Sequence, residues 1–165
     1  MTLQSENQRT KRCSDAPAAY RYQVNAWRTA DGAGLAKCEL APNALHFAAP
    51  PEFGGLQGRW TPETLLMGAI AGCFTTTFQI IAEHSSLAYT DLEVEVEGVV
   101  AKVESGYELT ELRIRPLLVV AEAKDHDRAL ELLWKVQTLC LVSRALSVEQ
   151  RFEPRVETKE MTPVG

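Results

Sequence analysis

Four cysteines, Cys13, Cys38, Cys73 and Cys140, and three histidines, His46, His84 and His126, are the side chains in this 165-residue chain with the widest chemical repertoire. A cysteine acts as its thiolate, which attacks electrophilic atoms or binds a metal, so its neighbours decide whether it reacts at all. No two of the cysteines lie within a few positions of one another, and no histidine joins them in a zinc-ligand spacing, so the residues imply no metal. That leaves thiol chemistry. Cys73 has the least ordinary setting: it sits inside the apolar run TPETLLMGAIAGCFTTTFQIIAEH, residues 61–84, ten positions after the carboxylate of Glu63. Taken singly, both have plainer readings. A free cysteine is usually a small buried hydrophobe, and a glutamate in a first helical turn complements the helix dipole.

The elements that must position these groups can be read from the same sequence. Thr61 is a good N-cap and Pro62 fits the first helical position, so the spacing predicts one long helix from Pro62 to about His84. Its apolar residues cover most of the circumference, which predicts burial on nearly every side. The small residues GAIAG just before Cys73 allow another backbone to come close. Upstream, YRYQVNAWRT alternates like a strand and DGAG follows as a turn, with short strands at LAKCEL and ALHFAA and a loop at PPEFGGLQGRW. Downstream, DLEVEVEGVVAKV and ELTELRIRPLLVV form a hairpin turned at ESG, with Glu93, Glu95 and Glu97 on a wet face. KDHDRALELLWKVQTLCLVSRAL has helical spacing that carries Cys140 on its apolar stripe, and QRFEPRVETKE closes the chain as a strand. The fold class is α+β, with two helices against antiparallel sheet. Residues 1–18 are expected to be a flexible tail and residues 19–165 a single domain.

Composition narrows the function. The formal charge of −5, with no basic run, argues against a nucleic-acid partner. No segment approaches ~20 uninterrupted apolar residues and the first residues lack a signal-peptide core, so the expectation is a soluble cytoplasmic protein with no membrane partner and reduced thiols.

Two separated motifs, GG....W.PE.LLMGAIAGCF and TLCLVSRAL, resemble the OsmC/Ohr family, the osmotically inducible protein C and organic hydroperoxide resistance proteins. The resemblance runs over about residues 20–155. It implies an OsmC-like fold: antiparallel sheets, two long central helices and an intertwined homodimer. It implies a thiol-dependent peroxidase that reduces organic hydroperoxides to alcohols without a cofactor, in defence against oxidative or osmotic stress. In that reading Cys73 attacks, Cys140 resolves, and an external thiol reductant, such as a dihydrolipoyl-type dithiol, restores both thiols. Glu63 matches the glutamate that holds an activating arginine, and Arg28 in AWRTADG is favoured for that arginine over Arg59 in GLQGRW. Arg59, Phe53, Met67, Phe74 and Phe78 are the candidate substrate-binding residues, although core packing is at least as good a reading for Phe53, Met67, Phe74 and Phe78. Where the family commonly has proline after the second cysteine, this chain has Leu141, so a break presenting the Cys140 sulfur is not forced. Cys13 and Cys38 match nothing in the family.

Elementary chemistry sets conditions on this reading. An unperturbed thiol with a pKa of about 8.5 is only a few per cent thiolate at neutral pH, so the attacking cysteine needs a stabilised anion. Ten residues of straight helix place Glu63 about 15 Å from Cys73, so one site that uses both needs a second chain. The rival reading is a non-catalytic OsmC-like protein that binds a ligand, or one in which oxidation of a thiol is itself the signal.

Overall fold

The computed structural model describes residues 19–159, which fall into two compact units, one ending at Arg59 and one beginning at Trp60. Cys13 and the tail expected at residues 1–18 lie outside the described residues.

In the first unit, strands β1 (Asn25–Arg28), β2 (Gly34–Lys37) and β3 (Leu45–Phe47) form an antiparallel sheet in that order. The β1–β2 turn closes through a Thr29 amide bond to the Ala33 carbonyl at 2.9 Å, and Gly32 takes φ 86°, which costs glycine nothing. Gly34 must lack a side chain, because an added Cβ would meet the Phe47 ring at 2.3 Å. The alternation that begins at Tyr20 becomes paired strand only from Asn25. Cys38 follows directly after β2.

The second unit begins with the long helix, α1 (Pro62–Ser85). The Thr61 hydroxyl accepts from the Thr64 amide at 3.2 Å, and the Thr64 hydroxyl accepts from the Thr61 amide at 2.8 Å. This reciprocal cap satisfies two amides that the first turn would otherwise leave open. The helix ends where Ser86 turns left-handed (φ 51°) and the Leu87 amide reaches back to the Ala82 carbonyl at 3.0 Å. The Arg128 guanidinium also donates to the Ser85 carbonyl.

Burial of α1 differs from expectation. The chain buries one stripe, Ile70, Phe74, Phe78 and Ala82, at a spacing of four. Gly68, Ala69, Gly72, Thr75, Thr76 and Gln79 are exposed, because the sheet and the second helix cover one side only. By length and composition α1 could cross a membrane, but its buried stripe joins the core of this unit instead.

Strands β4 (Tyr89–Val103) and β5 (Gly106–Val120) form the expected hairpin. Alternate residues of β5, from Leu112 through Ile114, Pro116 and Leu118 to Val120, are buried against the helices. On the other face Arg115 bridges Glu95 and Glu97 at 2.7 and 2.9 Å, so these two glutamates of β4 are paired across the strands. The terminal strand is split at Glu153 and Pro154 into β6 (Glu149–Phe152) and β7 (Arg155–Thr158). Both pair parallel to β5, which makes this sheet mixed and not purely antiparallel.

The second helix also differs from expectation. It is α2 (His126–Leu139), followed after a one-residue break at Cys140 by the single turn α3 (Leu141–Arg144). Ala129, Leu133 and Val136 of α2 pack into the cluster that holds Ile70, Phe74, Phe78 and the inward side of β5. Each fully buried Phe, Ile or Leu in such a core stabilises the fold by about 1.5–3 kcal/mol.

Candidate active site

The break at Cys140 determines what reaches Cys73. The Cys140 amide still makes a helical bond to the Val136 carbonyl at 2.9 Å, but its own ψ of 106° is extended. In an unbroken helix the next two amides, those of Leu141 and Val142, would bond to the carbonyls of Gln137 and Thr138. The extended residue turns them away toward α1, where both act to lower the pKa of the Cys73 thiol. The break therefore forms without a proline at 141, and it leaves the two freed amides on the turn that packs against α1.

Two free thiols with opposite properties result. Cys73 is half-buried, and desolvation by itself would raise its pKa. The Val142 amide, the Cys140 thiol, the Leu141 amide and the Thr77 hydroxyl together outweigh that and hold the Cys73 thiol below its ordinary value. Cys140 is fully buried, and burial pushes its thiol up; hydrogen bonding from Ser143 offsets part of this, and the neighbouring Cys73 raises it again. Cys140 thus remains a protonated donor while Cys73 is the sulfur prepared to carry charge.

The other candidates occupy several places. α1 runs unbroken from Glu63 to Cys73, so these two stay about 15 Å apart along the axis. Glu63 is exposed and makes no ion pair among the described residues. Arg28 ends β1 in the first unit and lines a cleft of about 350 Å³ with Trp27, Gly32, Phe47 and Ala48. Arg59, at the end of that unit, is one of the groups acting on Asp31: the Thr29 hydroxyl and then the Ala33 amide do most to hold that carboxyl low, and Arg59 adds least. Phe53 is half exposed, in a 3-10 turn at Pro51–Phe53. Met67 is half-buried beside Gly98 of β4. Phe74 and Phe78 lie wholly in the core, Phe74 against Phe152 with ring centroids 5.7 Å apart and Phe78 edge-on to Tyr89 at 5.2 Å. Sequence reasoning missed Thr77 and the two amides. Thr77 was within reach of it, since residues four apart on a helix are neighbours; the amides carry no side-chain signal.

The chain matches the family model for OsmC-like proteins over residues 55–154, which include both sulfurs. It is 32% identical over 113 residues to the uncharacterized Bacillus subtilis protein YmaD, covering 66% of this chain and 75% of that protein. Among solved structures it resembles an OsmC-like protein of unknown function from Vibrio cholerae, with TM-score 0.73 at 14% identity over 82% of this chain and 99% of that one. It also resembles an organic hydroperoxide resistance protein OsmC from Legionella pneumophila, with TM-score 0.63 at 21% identity over 84% of this chain and 99% of that one.

Proposed function

This chain belongs to the OsmC-like protein family, and from that premise we propose that it is a thiol-dependent peroxidase reducing organic hydroperoxides to alcohols. The observation that carries the reading is the sulfur pair: two free thiols packed in the same cluster that act on one another, one held low and the other high by their surroundings. The printed name of the Legionella neighbour supports the substrate class.

In this mechanism the Cys73 thiolate attacks the terminal oxygen of the hydroperoxide. An S–O bond forms, the O–O bond breaks, and the departing alkoxide takes a proton to leave as the alcohol. Cys73 is then a sulfenic acid. Cys140 attacks that sulfur; an S–S bond forms and water leaves with the Cys140 proton. Cys140 attacks as its thiolate, and conversion of Cys73 to a neutral sulfenic acid removes the neighbouring charge that helps to raise the Cys140 thiol, so attack comes before resolution. An external dithiol then reduces the disulfide.

The reading includes a homodimer in the cytoplasm. The exposed face of α1 is lined by small residues, and a Cβ added at Gly72 meets nothing within 4 Å of its own chain. A second copy placed there would cover the apolar helix and could bring its own Glu63 and an arginine, Arg28 or Arg59, toward Cys73. Gly72→Leu is expected to leave each chain folded and convert dimer to monomer in light scattering; a monomeric wild type would remove this part of the reading.

The test of the activity is thiol count and intact mass after one equivalent of tert-butyl hydroperoxide. Wild type is expected to lose two thiols to a disulfide. If it retains all its thiols, the peroxidase gives way to a ligand-binding or redox-sensing role for the same fold.

A further inference from the structure

Strand β6 has a polar residue where its pattern calls for an apolar one. Gln150 and Phe152 share the inward side of β6, and Gln150 lies opposite the fully buried Leu112 of β5, while Glu149 and Arg151 point to solvent. A polar side chain in such a position must be hydrogen-bonded or it costs stability. Gln150 is bonded: its Nε2 donates to the Ser143 carbonyl at 2.8 Å and to the Leu146 carbonyl at 3.5 Å. Those carbonyls lie at and just beyond the end of α3.

A helix of four residues does not hold itself together in water, so α3 depends on its surroundings. Around it, the Arg144 amide bonds to the Cys140 carbonyl at 3.2 Å and the Leu146 amide to the Ser143 carbonyl at 3.2 Å. Gln150 ties the far end of this turn to β6, which is itself paired with the best-buried strand of the sheet. The near end of the same turn carries the Leu141 and Val142 amides, and α3 packs on α1.

We propose that Gln150 is a positioning residue for Cys73: by holding the Ser143 and Leu146 carbonyls it fixes the turn that carries the Leu141 and Val142 amides and packs on α1, the helix of Cys73. It touches no reacting atom. Its role rests on Cys73 being the reactive thiol, but it can be tested without peroxide.

The test compares wild type with Gln150→Met, which keeps the length and volume of the side chain and removes the donor, and with Thr110→Val. Thr110 lies exposed on β5, where its hydroxyl donates to the Val99 carbonyl at 3.2 Å, so it serves as a control that also loses one side-chain hydrogen bond. The rate of iodoacetamide alkylation at Cys73 is followed against pH by peptide mass. Gln150→Met is expected to slow Cys73 alkylation at neutral pH by roughly two- to tenfold, the range one net hydrogen bond spans, and to move the profile toward higher pH. Thr110→Val is expected to match wild type. A Gln150→Met protein that loses thermal stability with an unchanged Cys73 profile would overturn the proposal and leave Gln150 a structural residue. If Gln150→Met does not fold, the 15N-labelled wild type decides the question. The Leu141 and Val142 amides and the Gln150 side-chain amide are expected to shift together as Cys73 titrates, and a Gln150 resonance that stays flat would overturn the proposal. Failure of wild type to consume hydroperoxide would remove the peroxidase and leave the alkylation result standing.

Discussion

Cys73 and Cys140 are the same side chain in two kinds of backbone. Cys73 lies in the middle of an unbroken helix, where every nearby amide is already used, so its stabilising hydrogen bonds must come from another element or from a side chain one turn away. Cys140 lies at a helix break and is fully buried, so burial raises its thiol while Ser143 offsets only part of this, and the Leu141 and Val142 amides released there act on its partner. Among the main groups that lower the Cys73 thiol are two amides freed by the break in helix at Cys140, between α2 and α3. An arginine supplied by the first unit or by a second chain would add to this effect.

The largest way to break the comparison is to remove either sulfur. Cys73→Ser is expected to abolish all loss of thiol to an organic hydroperoxide, whereas Cys140→Ser should consume one equivalent and stop at a sulfenic acid that dimedone traps. Equal inertness of the two variants would erase the distinction between attack and resolution.

Cys140→Ala removes a donor from Cys73 and should slow its alkylation at neutral pH by roughly tenfold, the upper range for one hydrogen bond. It has a second consequence. Because the folded-state pKa of Cys140 is raised, its contribution to stability is fully present below the unfolded-state value and is lost as pH rises through the folded one. Alkaline melting of reduced wild type should therefore be steeper with pH than that of Cys140→Ala, as differential scanning calorimetry would show.

Leu141→Pro gives a smaller effect and a sharper comparison. Cys140 already has φ −61° and ψ 106°, the extended region that a following proline requires, and position 141 opens α3, where proline is at home. The variant should keep its melting free energy within about 1 kcal/mol. It loses the Leu141 amide but not the Val142 amide, so Cys73 alkylation should slow only about threefold. Thr77→Val is expected to have the smallest effect, about twofold, since the hydroxyl is the weakest of the four donors to Cys73. Reversal of this order, read from the same alkylation rates, would assign the stabilisation to a different set of groups.

Much of this was legible in the sequence. Thr61 and Pro62 announced the start of α1, the Leu-Glu-Val alternation announced β4, and the two cysteine motifs announced the pair that meets. The break at Cys140 was hidden because nothing in TLCLVSRAL forbids a continuous helix: Leu141 carries no proline ring, and the elements that meet the broken turn, α1 and β6, lie outside that motif. The parallel pairing of β6 and β7 was hidden for a similar reason, since strand direction depends on where α2 and α3 deliver the chain. Gln150 was visible as a polar residue in the inward phase of a strand, but its partners are carbonyls, which no sequence pattern displays.

The most direct measurement is the pH dependence of alkylation at the two sulfurs in one sample of reduced wild type, resolved by peptide mass. Cys73 is predicted to rise to its plateau at a pH below that of free cysteine, with Cys140 following only at a pH above it. Coincident profiles, or a Cys140 that reacts first, would contradict the account.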